Sequence, residues 1–138
     1  MISIVSIYQW VKLLIYVLYK KEQDNDRYAV RMTKYQGSTM INICDIELIG
    51  AKLEKDEFLI EITKDYFQQD IIEDSQARKL LRSCSIANLV GERIVKQALD
   101  LGLAKEMSIK RISGVPFLMI FKFHYKSTNN EQLNNKNF

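Results

Sequence analysis

Hydrophobic and polar positions change period several times along the chain. From Tyr28 to Tyr35 (YAVRMTKY) they alternate, with Tyr28, Val30 and Met32 on one side and Ala29, Arg31 and Thr33 on the other. Gln36-Gly37-Ser38 supplies a turn and Thr39–Cys44 (TMINIC) resumes the alternation, which predicts a β-hairpin. A second turn over Asp45–Gly50 leads through the charged run KLEKDE to a third strand, Phe58–Thr63 (FLIEIT). Tyr66–Asp74 is acidic and irregular. Asp74 or Ser75 is placed to cap a helix in which Ala77, Leu80, Leu81 and Cys84 follow the i, i+3, i+4, i+7 spacing. Ile86, Leu89, Val90, Ile94, Ala98 and Leu101 form a second helical set, closed by Gly102. One straight helix would point the two sets roughly 130° apart, so a break near Ser85, which can cap the second helix, is simpler. Met107–Ile112 and Phe117–Phe123 read as two strands joined by Ser113-Gly114-Val115-Pro116. The last is apolar on both faces until Lys122 and belongs in the middle of a sheet. The prediction is an α+β fold: a mostly antiparallel sheet of about five strands, with two helices inserted between strands three and four.

The ends differ from this core. Ile2–Tyr19 is about 27 Å long as a helix, marginal for a membrane span. Ser3, Ser6, Gln9, Lys12 and Lys20 share one sector, and Ile7, Trp10, Val11, Leu14, Ile15 and Leu18 fill the opposite side. This predicts an N-terminal amphipathic helix that lies on a membrane interface, docks on a partner or covers its own domain, rather than a span. No small-residue cleavage site follows the apolar run, which argues against a cleaved signal peptide. The other end, KSTNNEQLNNKNF, has almost no apolar residues and no period. The expected organisation is an extension over residues 1–26, a single α+β domain over 27–126 and a disordered Asn-rich tail over 127–138.

Composition narrows the classes. With 138 residues, 47% of them hydrophobic and a formal charge of only +3, the chain is neither disordered throughout nor a polyelectrolyte. Two cysteines, Cys44 and Cys84, make no disulfide scaffold or four-cysteine zinc site, and His124 is the single histidine. Ser83 and Ser85 have no histidine base at a recognisable spacing, and the glycines are too scattered for a phosphate loop. We therefore expect a cytoplasmic protein with no metal and no cofactor. Charge is distributed unevenly. Residues 1–75 carry nine basic and thirteen acidic groups, whereas residues 76–126 carry ten basic and three acidic. The candidate nucleic-acid contacts are Arg78, Lys79, Arg82, Lys110, Arg111, Lys122 and Lys126, with Lys96 and Lys105 in the same half. Phe121, Phe123 and Tyr125 interleave with them near the last strand, as base stacking on RNA would use. Ordinary solvated basic faces are the competing explanation.

Three runs stand out: Cys44-Asp45-Ile46-Glu47-Leu48-Ile49-Gly50, Ala87-Asn88-Leu89-Val90-Gly91-Glu92-Arg93 and Ile112-Ser113-Gly114-Val115-Pro116. In these runs and their spacing the chain resembles, over about Arg27–Phe123, an archaeal family of small proteins catalogued only as a domain of unknown function, numbered four-two-four. The resemblance implies an α+β fold, no established activity and gene neighbours among translation-initiation and ribosome-export-type factors. It thus implies a role linked to translation. The chain departs from the family at Phe117, where a histidine commonly follows the Val-Pro, and in residues 1–26, which precede the family domain.

The same runs hold the candidate site. Read as helical, Arg93 projects among Leu89, Ile86 and Gln97, where a guanidinium needs acceptors because an unpaired buried charge costs about 3–5 kcal/mol. Asp45 and Glu47 are the nearest by motif, flanked by Asn88 and Glu92. The set is either an anion site or a structural ion pair tying helix to hairpin. Gly91, inside the predicted helix, forms a small-residue stripe with Ala87 and Ala98, which favours close packing. Three functions follow. The first is a non-enzymatic accessory protein of translation that contacts ribosomal RNA or a ribosome-associated factor through the basic half. The second is a small-anion-binding domain or enzyme around Asp45, Glu47, Asn88, Glu92 and Arg93. The third is a membrane-associated protein using residues 1–26. Oligomeric state is left open.

Overall fold

The computed structural model describes residues 3–24 and 26–122. Helix α1 (Ile4–Asp24) comes first. Strands β1 (Arg27–Tyr35) and β2 (Ser38–Asp45) pair antiparallel over their whole length, Tyr35 opposite Ser38, as the alternation predicts. A single 3-10 turn over Ile46–Leu48 follows, then strands β3 (Lys52–Lys55) and β4 (Phe58–Glu61), a short helix α2 (Lys64–Phe67) and strand β5 (Asp70–Glu73). Helix α3 (Asp74–Ser83), strand β6 (Ile86–Val90), helix α4 (Glu92–Asp100), a 3-10 turn at Glu106–Ser108 and strands β7 (Lys110–Ile112) and β8 (Val115–Phe121) complete the order.

The fold is α+β, but the sheet differs from the expected one. Six strands run in the order β5-β1-β2-β6-β8-β7, with β2 and β6 parallel and the other neighbours antiparallel. The β3 and β4 strands form a separate two-stranded sheet, so Phe58–Glu61 is not the third strand of the main one. The acidic run that looked irregular supplies edge strand β5. The largest correction concerns Ile86–Leu101. Its first five residues are a strand, and only Glu92–Asp100 is helical, so a strand separates the two helices expected to be consecutive. A five-residue run with Ile86, Leu89 and Val90 apolar satisfies both periods, and the flanking strands β2 and β8, which take its backbone hydrogen bonds, decide between them. Ser85 caps no helix: its amide donates to Thr39 O and its carbonyl accepts from the Lys122 amide. At α3 the N-cap is Glu73, whose amide donates to Gln76 Oε1 at 3.1 Å, rather than Asp74 or Ser75.

Two cores lie on opposite faces of the main sheet. Tyr28, Val30, Ile41, Ile43, Leu89, Leu118 and Ile120 meet Ala77 and Leu81 of α3 and Ile94, Val95 and Ala98 of α4. On the other face Ala29, Cys44 and Val90 are covered by Leu53, Ile62 and Phe67. Strand β8 lies between β6 and β7, with Leu118 and Ile120 buried, Phe117 half-buried and Met119 and Phe121 exposed, so its outer face is not fully covered. Helix α1 does not cover the domain: every side chain from Ile4 to Lys20 is exposed. Among the described residues no helix is long and apolar enough to cross a membrane. The expected tail over 127–138, Phe123, His124, Tyr125 and Lys126 lie outside the described residues.

Candidate functional site

The three runs meet where β2 ends and α4 begins. Asp45 closes β2 and is buried, and its two carboxylate oxygens accept the first free amides of α4. Oδ2 accepts from the Arg93 amide at 3.0 Å and Oδ1 from the Ile94 amide at 3.0 Å. A helix N-terminus presents unpaired amides and partial positive charge, which is why it attracts anions. Here the chain's own carboxylate fills that place. Gly91, the residue before α4, is not inside a helix as expected. It has φ +120° and ψ 154°, and a Cβ built on it would stand 2.4 Å from Asp45 Cγ and Oδ2. Its amide donates to Pro116 O at 3.0 Å, which brings in the third run.

Arg93 sits at the first turn of α4, not on an apolar face with Ile86 and Leu89. Its Nε donates to Glu47 Oε1 at 3.3 Å, Nη2 bonds to Glu47 Oε2 and also to Arg27 O at 3.2 Å, and Nε lies 4.0 Å from Asp45 Oδ2. The guanidinium stacks on the Tyr28 ring, 4.9 Å from its centroid. Beneath it the Tyr28 hydroxyl donates to Asp74 Oδ1 at 2.5 Å, and Gln97 Nε2 donates to the same oxygen at 2.8 Å and to the Tyr28 oxygen at 3.0 Å. Burial, then the bond to Asp74, raises the Tyr28 phenol above its ordinary value. Arg93 is also raised, because the Glu47 bond and the Asp45 charge together outweigh its partial burial.

The structure brings Asp45, Glu47 and Arg93 together, with Glu92 nearby and Asn88 elsewhere. Glu92 is exposed and pairs with Arg111 Nη1 at 2.6 Å, which also donates to Gly114 O at 3.2 Å. A cleft of about 200 Å³ lies here, its charged lining residues Asp45, Glu47, Glu92 and Arg93. With three carboxylates to one guanidinium, and that guanidinium engaged by the protein, the arrangement works as a clamp between helix and hairpin. Asn88 points to the opposite face of the sheet from α4, where Nδ2 donates to Asn42 Oδ1 at 2.8 Å. Sequence reasoning missed Asn42, Tyr28, Asp74 and Gln97. Asn42 and Asn88, each polar between two apolar neighbours, were the signal available for one pair.

Burial pushes the Asp45 carboxyl up from 3.8 to about 6, against Arg93 and the two amides that pull it down. The folded chain therefore holds this proton more tightly than the unfolded chain. The resulting stabilisation is full below the ordinary carboxylate value and is lost as pH rises through about 6, amounting to about 3 kcal/mol. Urea unfolding at about pH 4 and about pH 8 should show the wild type losing more stability across that window than Asp45→Asn. Parallel losses would mean that Asp45 does not titrate there.

The basic candidates scatter. Arg78, Lys79 and Arg82 are exposed on α3, whereas Lys110 and Arg111 lie on β7 at the far edge of the sheet. Lys122 is taken up by the fold, its Nζ donating to Leu81 O at the end of α3. Cys44 and Cys84 are free, buried and in opposite cores, which places them on different faces of the sheet. Burial pushes the Cys44 thiol up to about 12, leaving it unreactive at neutral pH. Among the described residues no group of three or more His, Cys, Asp or Glu is placed to hold a metal ion.

A family model described as a protein of unknown function, DUF424, matches residues 33–123. No curated protein matches the chain. The crystal structure of an uncharacterized conserved protein from Methanopyrus kandleri is similar in fold, with a TM-score of 0.61 and 22% identity, covering 69% of this chain and 90% of that one.

Proposed function

We propose that this chain, which belongs to the DUF424 family of proteins of unknown function, acts without catalysis as an accessory of translation that contacts RNA. The observation that carries the reading is the row Arg78, Lys79 and Arg82 on α3, exposed and without an acidic partner among the described residues. Three other cations of the same half are paired inside the molecule: Arg93 with Glu47, Arg111 with Glu92 and Lys96 with Asp100. Arg78 and Lys79 are adjacent and Arg82 lies about one turn on, so three unpaired cations cluster within one stretch of α3, as contact with phosphates would use. Co-sedimentation with ribosomal subunits across a salt series tests this. Retention on one subunit should fall steeply with salt, and Arg78→Glu, Lys79→Glu and Arg82→Glu together should lower the logarithmic salt slope by about 2–3. Protein that stays at the top of the gradient at every salt concentration would overturn the reading.

A second reading rests on α1. Ile4, Trp10 and Ile15 are 85%, 74% and 61% exposed, and apolar surface of that extent on one helix marks an interaction site. Lys12 and Lys20 on its polar side suit an anionic membrane surface. Flotation with anionic vesicles, lost on deleting residues 1–26, would support it, and flotation of the truncated chain would sink it.

A further inference from the structure

On the sheet face away from α3 and α4, strand register stacks side chains in rungs. Ala29, Cys44, Val90 and Phe117 form one rung, and Arg31, Asn42, Asn88 and Met119 form the next. The first is roofed by Leu53, Ile62 and Phe67. Beside the second a cavity of about 590 Å³ opens, within the size range of small-molecule sites. Its walls are Ile60, Ile62, Tyr66, Phe67, Phe117 and Met119. Tyr66 and Met119 are more than half exposed at the mouth.

The polar side chains that line this cavity are Asn88, Ser108, Glu61, Lys110 and Tyr66 through its hydroxyl, and Asn88 is the one carboxamide among them. Asn88 Nδ2 donates to Asn42 Oδ1 at 2.8 Å, and Asn42 Nδ2 donates to Tyr66 O at 3.2 Å. That leaves the Asn88 carboxamide oxygen and one of its N–H groups without a protein partner among the described residues. A donor and an acceptor side by side on one amide match the edge of a nucleobase, and the same group serves no purpose toward a purely apolar ligand. Lys110, opposite Phe117 in the register, and Glu61 lie at the rim. One offers a cation for a phosphate and the other an acceptor for a ribose hydroxyl.

We infer that this cavity binds a ribonucleotide, its base against Tyr66 and Met119 with its edge on Asn88, its phosphate at Lys110 and its ribose at Glu61. The site stands apart from the α3 reading, because α3 packs on the other face of the sheet. The ligand is either a free mononucleotide or an unpaired nucleotide within an RNA strand, since both present the same groups.

Methyl and amide NMR of the full chain, titrated with AMP, GMP, CMP and UMP and with a single-stranded hexaribonucleotide, tests the inference. Shifts should centre on the Met119 methyl and the Asn88 amide. Asn88→Ala should weaken binding about tenfold or more. Lys110→Glu, at an exposed edge position where folding is not at stake, should weaken the mononucleotide while leaving the matching nucleoside unchanged. Saturation by the hexamer at lower concentration than any monomer assigns the strand as ligand, and equal or tighter monomer binding assigns the free nucleotide. Absence of shifts at these residues up to about 5 mM of every probe overturns the inference. So does binding that Asn88→Ala and Lys110→Glu both leave intact. Glutamate at Arg78, Lys79 and Arg82 should not change mononucleotide binding, so failure of one reading is distinguishable from failure of the other.

Discussion

Gly91→Ala is expected to destabilise the protein by about 4 kcal/mol or more, a large part of the usual 5–15 kcal/mol. Two independent costs add. With φ +120° and ψ 154°, residue 91 occupies a region essentially reserved for glycine, where any side chain costs of the order of 1–3 kcal/mol. The new Cβ would also stand 2.4 Å from the Asp45 carboxylate. That carboxylate cannot withdraw without leaving the amides of Arg93 and Ile94, and each bond to a charged acceptor contributes about 1.5–3 kcal/mol. Gly102→Ala is the matched control. Its φ is also positive, +72°, but a Cβ there meets nothing within 4 Å. Urea unfolding at neutral pH should place the Gly91 variant well below the Gly102 variant, whose cost should be about 1 kcal/mol. Equal midpoints would remove the close approach to Asp45 from the account.

Arg93→Met is expected to cost about 2–4 kcal/mol, the second largest effect. The substitution keeps most of the side-chain bulk over Tyr28 but removes the partner of a buried carboxylate, and leaving one charge of such a pair uncompensated is what makes breaking it expensive. Glu47 is about half exposed, so its share of the pair is screened and the smaller one. Glu47→Gln alone should therefore cost less than 1 kcal/mol, and the double variant should cost less than the two single effects combined. A ligand-binding arginine behaves differently: its removal leaves the unfolding midpoint where it was and abolishes stabilisation by added phosphate. Thermal melts of Arg93→Met with and without phosphate separate the two. An unchanged midpoint would show that Arg93 is not a structural clamp.

Much of the fold is legible in local pattern. Strict alternation through Tyr28–Cys44 specifies a hairpin because period two places one face of each strand in the core, and Val30 opposite Ile43 is the result. Alternation fails as a guide where little is buried. Lys52–Lys55 forms a strand although its pattern is charged, since Leu53 is its one buried side chain. Asp70–Glu73 likewise buries only Ile72 and takes its conformation from pairing with β1. Ile86–Val90 fails for another reason. Buried on both faces, it shows the apolar density of a helix, and a short apolar run does not carry its own period.

For the site, the three runs mark the place, and Asp45, Glu47 and Arg93 are read correctly as neighbours. Their roles depend on distances that no local pattern encodes. The same is true of Asn88, which shares a run with Arg93 yet faces the other side of the sheet. Four residues separate them, Asn88 in the middle of β6 and Arg93 in the first turn of α4, so each side chain takes its direction from its own element.

Sequence alone determined the class of the fold, the hairpin, a helix carrying Ala77, Leu80 and Leu81 that stops before Ser85, and the nearness of Asp45, Glu47 and Arg93. These depend on period, on turn chemistry and on the need of a buried charge for a partner, all of which act over a few residues. Tertiary structure alone decided that Ile86–Val90 is a strand, that the anion place on α4 is filled by Asp45, that Gly91 is required by the carboxylate beside it, and that Asn88 opens on a second cavity. Each of these rests on contacts between segments some 40 or more residues apart, such as Asp45 with Arg93 and Asn42 with Asn88, which hold only once the sheet order is set.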